Sequence, residues 1–117
     1  MKESQLLKLI QLKASQIGQR VFRNNTGLGW AGKTIHFSKP CTITALPGDV
    51  LIRAARPLHA GLCEGSSDLI GWSSDGKFIA YEAKSQIGEL TPEQNNFLDA
   101  VKTAGGIAKC VRSVDDI

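Results

Sequence analysis

Residues 67–84 read Ser-Asp-Leu-Ile-Gly-Trp-Ser, then Ser-Asp-Gly, then Lys-Phe-Ile-Ala-Tyr-Glu-Ala-Lys. Two β-prone runs, 67–73 and 77–84, flank Ser74-Asp75-Gly76. A three-residue loop, built as a type I turn with Gly76 left-handed, pairs Ser73 with Lys77. Counting back from there, Trp72 faces Phe78, Ile70 faces Ala80 and Asp68 faces Glu82. A two-residue Asp75-Gly76 turn would set Asp68 opposite Ala83 and send it to the other face, because a slip of one residue inverts a strand. The three-residue loop is the expected one. Alternation also puts Glu82 and Lys84 on one face.

Two carboxylates at the same end of a hairpin can hold a hard divalent cation through oxygen. A neighbouring ammonium can orient a water or offset phosphate charge. That combination suits phosphodiester hydrolysis. An Asp followed at a distance by Glu-x-Lys recurs by chance in many chains, so its context carries the weight.

With 117 residues, the chain is expected to form a single domain over 1–117, enough to bury roughly two thirds of its unfolded surface. Lys plus Arg (14) exceed Asp plus Glu (11), giving a net charge of +3. This balance is compatible with a polyanionic partner without demanding one. Cys41, Cys63 and Cys110 lack Cys-x-x-Cys spacing and read as reduced thiols, neither a disulfide frame nor a zinc site. The start, Met-Lys-Glu-Ser-Gln-Leu-Leu-Lys, has no apolar signal region, and no stretch is suited to spanning a bilayer. The expected setting is cytoplasmic, with no membrane partner.

Working outward, Glu3, Leu7, Ile10, Ala14 and Ile17 recur at helical spacing, with Leu6, Leu9 and Leu12 widening the apolar side. This predicts a helix over 3–17, ended by Gly18. A strand follows at 20–25 and a turn at 26–29. Short β-like runs at 33–37, 41–45 and 50–54, broken by Lys39-Pro40 and Pro47-Gly48, read as a β insertion, with a loop at 57–66. Thr91, Pro92 and Gln94 form a Thr-x-x-Gln capping box with Pro at the first helical position, starting a helix over 92–104 that Gly105-Gly106 stops. A last strand is expected at 107–113. The order α-β-(β insertion)-β-β-α-β indicates an α/β (α+β) domain, a mixed sheet flanked by helices.

Several polar residues head apolar stripes. Glu3 is either a first-turn acid favoured by the helix dipole or a third carboxylate beside Asp68 and Glu82. Gln94 is either a capping residue or an active-site amide, two roles that compete for one side chain. His36 and His59 have no metal-ligand spacing and stay outside the catalytic set. Arg20, Arg23, Lys33, Arg53 and Arg56 are candidate phosphate contacts. Trp30 and Trp72 are read as packing groups, since no aromatic series accompanies them.

With these segments together, the chain resembles a PD-(D/E)-x-K nuclease of the stand-alone VRR-NUC type found in phages and bacteria. The resemblance runs through the helix bearing Glu3, residues 21–27 (Val-Phe-Arg-Asn-Asn-Thr-Gly), Gly65–Gly71, Tyr81-Glu82-Ala83-Lys84, Leu90–Gln94 and Ala104–Ala108. Residues 28–64 fall outside it. It implies a restriction-endonuclease-like fold, with Asp68, Glu82 and the Ala83 carbonyl as ligands of Mg²⁺ (Mn²⁺ as a substitute). Lys84 would be the catalytic lysine and Glu3 and Gln94 supporting residues. Ser67 stands where the family name has proline. The resemblance further implies a homodimer acting on branched DNA, above all four-way junctions. Residues 30–65 would then serve as the dimer contact or the junction-gripping surface. Alternatives are a less selective flap or duplex nuclease and a non-catalytic DNA-binding subunit.

Overall fold

The computed structural model describes every residue except Phe37, Cys41, Ile43 and Ala45, and every side chain except those of these four and of residues 33–36. The chain divides into two compact units, residues 1–26 with 61–117, and residues 27–60.

In the first unit, α1 (Glu3–Gln16) is followed by β1 (Arg20–Arg23), and β4 (Leu69–Trp72) by β5 (Phe78–Ala83). Then come α2 (Pro92–Thr103), β6 (Ile107–Val111) and a short 3-10 turn at Val114–Asp116. The second unit is a ribbon of β2 (Gly27–His36) and β3 (Val50–Ala60). The four strands of the first unit run in the order β1-β4-β5-β6. The β1–β4 and β4–β5 pairs are antiparallel and β5–β6 is parallel. Only the parallel pair needs a long crossover, and α2 supplies it. This is the mixed α+β architecture expected from the order of elements, and it is consistent with a restriction-endonuclease-like fold.

Alternation along β5 splits the core into two layers. Ile79, Tyr81 and Ala83 face α1, where they pack with Leu6, Leu7, Ile10, Ala14, Val21, Leu69 and Val111. Ala80 faces the other way, against Leu98 and Val101 of α2 and Ala108 of β6. The helical stripe on α1 is narrower than its sequence suggests. Leu6, Leu7, Ile10 and Ala14 are buried, whereas Leu9, Leu12 and Ile17 remain exposed. A helix lying on one face of a sheet covers only one stripe of its own surface.

The hairpin follows the three-residue turn. Trp72 pairs with Phe78, Ile70 with Ala80 and Leu69 with Tyr81. The Ser73 N–H donates to the Lys77 carbonyl at 2.9 Å, and Gly76 has φ +84°.

The insertion differs from the pattern its sequence predicts. Residues 27–29 continue into β2 rather than turning, and β3 runs through residues 57–60, where a loop was expected. Pro57 does not break β3, because a two-stranded ribbon leaves each strand with one unpaired edge where a missing N–H costs nothing; it sits opposite Trp30. The β-like run at 41–45 falls largely outside the described residues. The tryptophans are not core groups: Trp30 is 59% exposed and Trp72 51%, the latter tilted against Phe22 with ring centroids 5.5 Å apart.

Of the glycines, Gly71 leaves the least room for a side chain. A Cβ there would lie 1.7 Å from the Arg20 carbonyl oxygen and 2.7 Å from its carbon. Only backbone movement of β1 could relieve that overlap. Gly71→Ala should therefore lower the unfolding free energy by about 3 kcal/mol or more, as severe overpacking does, measured by urea denaturation against wild type.

Candidate active site

Asp68 sits one residue before β4 and is held from both sides. Its carbonyl accepts the Asn24 N–H at 2.8 Å, extending the β1–β4 ladder. Its own N–H donates to Glu82 Oε2 at 3.2 Å, and its Oδ2 accepts the Ala83 N–H at 2.9 Å. The expected register thus delivers both carboxylates to one end of the hairpin. Glu82 alternates with Ala80 and lies on the α2 face, only 3% exposed.

Gln94 resolves the competition posed by its sequence position. Its Oε1 accepts the Thr91 N–H at 2.9 Å, closing the capping box, while its Nε2 donates to Glu82 Oε1 at 2.9 Å. A primary amide offers an acceptor and donors on separate atoms, so one side chain performs both roles.

The Lys84 N–H donates to the Val111 carbonyl at 3.0 Å, anchoring its backbone to β6. Among the described residues its ammonium forms neither a hydrogen bond nor an ion pair. Glu3 comes to the same region from the opposite layer. Its Oε1 accepts the Ser85 N–H at 3.3 Å, one residue beyond Lys84, and it makes no hydrogen bond to Asp68 or Glu82. Among the described residues, no three His, Cys, Asp or Glu side chains gather as a metal-holding group.

Of the candidate phosphate contacts on the sheet, Arg20 pairs with Trp72 and Arg23 with Leu69, so they point to opposite faces. His59 is exposed and belongs to the ribbon.

Two positioning residues escaped the sequence reading. The Asn24 amide donates to Ser66 Oγ at 2.8 Å and to the Ser67 carbonyl at 2.9 Å, while its oxygen accepts the Leu62 N–H at 3.2 Å. It thereby shapes the loop that leads into Asp68. The Arg112 guanidinium donates to the Ser85 carbonyl at 2.5 Å and the Gly88 carbonyl at 2.6 Å, tying down the segment after Lys84. Asn24 lies within the Val21–Gly27 segment, but nothing in its type or spacing announces a partner more than forty residues away. Ser67 is fully buried, and its hydroxyl has no partner among the described residues.

The Glu82 carboxyl is pushed up to about 7 by burial first and by the negative charge of Asp68 second, with Lys84 opposing them. Two oxygen-donor carboxylates, one buried and repelled by the other, form a donor set that suits a hard divalent cation, because the ion relieves that repulsion. The N–H and C=O of a strand residue point to the same neighbour. The Ala83 carbonyl therefore leaves on the side of Asp68 and can join the set. An apolar groove of about 510 Å³, lined by Gly76–Phe78, Phe97 and Ala104–Gly106, lies at the turn end of the hairpin and takes no part in this cluster.

A mixed sheet with Asp68, Glu82 and Lys84 towards one end is consistent with a restriction-endonuclease-like fold. Comparison with known families identifies which kind: the VRR-NUC domain matches residues 41–115, well over half of the chain. The chain belongs to the VRR-NUC family and is a nuclease acting on DNA. Among curated proteins, none matches it.

Two consequences follow for stability. Between about pH 4.5 and 7 the folded, metal-free chain binds a proton at Glu82 that the unfolded chain has released. Its stability therefore falls as pH rises through that window. Glu82→Gln should abolish this fall and raise the thermal midpoint of the metal-free chain at pH 8, read by circular dichroism. Ser67→Ala removes a buried hydroxyl without a partner and should raise the unfolding free energy by roughly 1 kcal/mol, read by chemical denaturation.

Proposed function

We propose that this VRR-NUC domain is a metal-dependent endonuclease that hydrolyses phosphodiester bonds of branched DNA, four-way junctions foremost, as a homodimer. The observation that carries the reading is the mutual hydrogen bonding of the Asp68 and Glu82 segments, with Lys84 one residue beyond the strand of Glu82 and Gln94 fixed on Glu82.

Asp68, Glu82 and the Ala83 carbonyl would hold Mg²⁺, with Mn²⁺ as a substitute. An ion held there would supply Lewis acidity, polarising the scissile phosphate and lowering the pKa of a water. The chain's own residues do the rest. Lys84 faces the phosphate with an ammonium engaged by no other described group, and offsets the negative charge that grows during in-line attack. Gln94 keeps Glu82 turned towards Asp68. Glu3 holds the backbone just after Lys84 through Ser85. The bond to the leaving oxygen breaks as the water oxygen bonds to phosphorus, so one end carries the phosphate and the other a hydroxyl.

Symmetric resolution of a four-way junction needs two cuts. Each chain offers one such cluster among its described residues, so two chains related by a two-fold axis would be required.

The test compares a four-way junction with a linear duplex of matched sequence in Mg²⁺. Faster cutting of the junction, at paired positions, supports the proposal; equal rates on both would reduce it to an unselective nuclease. Lys84→Ala should lower the cleavage rate by about 10²-fold or more without lowering the thermal midpoint. Asp68→Asn should lose metal-dependent cleavage and weaken Mg²⁺ binding by calorimetry. Full turnover by either purified variant would refute its role.

A further inference from the structure

The charge of this chain is unevenly divided. Residues 27–60 hold Lys33, Lys39, Arg53 and Arg56 against Asp49 alone, a balance of +3. The remaining residues hold ten basic and ten acidic side chains, so the whole net charge of +3 resides in the ribbon unit. Neither β2 nor β3 contains an acidic residue.

The register then sorts that charge. Lys33 pairs with Arg53 and Ala31 with Arg56, so β3 spends one more residue than β2 between the two pairs. The additional residue lies at the bulge where Ala54 takes a left-handed backbone, φ +49°. In a regular strand, residues three apart point to opposite faces. Here the bulge returns Arg56 to the face of Arg53, the re-aiming of a side chain for which bulges are known. Both arginines are exposed. They stand two ladder steps apart, roughly 7 Å at 3.3–3.4 Å per step, the scale of one step along a phosphate backbone. Gly29, Ala31, Leu58 and Ala60 share their face, and the small Gly29 and Ala31 leave room across the ribbon from Leu58 and Arg56. Gly32 permits the arrangement: a Cβ there would fall 2.6 Å from the Arg53 carbonyl oxygen and 2.8 Å from Ile52 Cγ2.

We propose that the arginine face of the β2–β3 ribbon is a docking surface for duplex DNA, with Arg53 and Arg56 contacting neighbouring phosphates of one strand. A two-stranded antiparallel ribbon fits the major groove of B-form DNA. Guanidinium groups bind phosphate oxygens in pairs, which favours Arg here. The contact is independent of base sequence, because phosphates carry none. This inference rests on the reading of the chain as a nuclease acting on DNA, and it assigns part of the grip on the substrate to a unit outside the carboxylate cluster.

The test is binding of the full chain to a fluorescent duplex, by anisotropy, in chelator, so that cleavage plays no part. Arg53→Glu with Arg56→Glu should weaken binding at least tenfold and flatten the log–log salt dependence by about two, close to one per lost phosphate contact. Scrambling the duplex sequence should change nothing. Lys8→Glu with Lys102→Glu makes the same change in net charge on exposed residues of the other unit, and should weaken binding far less. Arg53→Gln with Arg56→Gln gives an intermediate loss, and all variants should keep the wild-type thermal midpoint. Equal loss in both charge-reversed pairs, unchanged affinity, or no binding by wild type would each overturn the proposal. So would altered oligomeric state at unchanged affinity, which would make the ribbon a contact between chains. Failure of the nuclease mechanism is separate: metal-dependent cutting would be absent while arginine-dependent binding persisted.

Discussion

The cross-strand bonds between the Asp68 and Glu82 segments are what the site depends on. Each strand gives the other's carboxylate one backbone N–H, so the acids are set by the same ladder that builds the sheet. This makes the site as rigid as the hairpin beneath it. It also forces a buried carboxylate beside a second one, a cost that folding alone would not retain. The surrounding elements oppose that cost locally: Gln94 donates to Glu82, and Lys84 stands close enough to favour its charged form.

Other elements act through this pair. Helix α2 is both the crossover that lets β6 lie parallel to β5 and the carrier of Gln94, so one segment closes the sheet and orients the acid. Asn24 and Arg112 secure the two loops on either side of the cluster, one before Asp68 and one after Lys84. Glu3 joins from the α1 layer through the backbone of Ser85 rather than through the other acids. Asn24, Arg112 and Glu3 thus act on the backbone on either side of Asp68 and Lys84 rather than on those side chains.

The ribbon follows a different logic. It contributes no residue to the described core clusters, and several of its apolar side chains, including Leu28, Trp30 and Leu58, are half exposed or more. Its distinguishing features are charge and register. A single bulge turns two arginines of opposite nominal parity onto one face, so the position of an unremarkable alanine governs the electrostatics of the unit.

Much of the first unit was legible in its residues because the deciding signals are local. The turn Ser74-Asp75-Gly76 selects the hairpin register, and Thr91-Pro92-x-Gln94 starts α2, each through chemistry within a few residues. From these came the face shared by Asp68, Glu82 and Lys84. Tertiary structure alone decided that Gln94 serves cap and carboxylate together, that Glu3 reaches Ser85, and that Asn24 reaches Ser66 and Ser67, since such partners meet only when distant segments pack. It also decided the ribbon: whether residues 27–60 form two long strands, and on which face each arginine stands, depends on pairing across the ribbon and on a bulge that alternation within one strand cannot reveal.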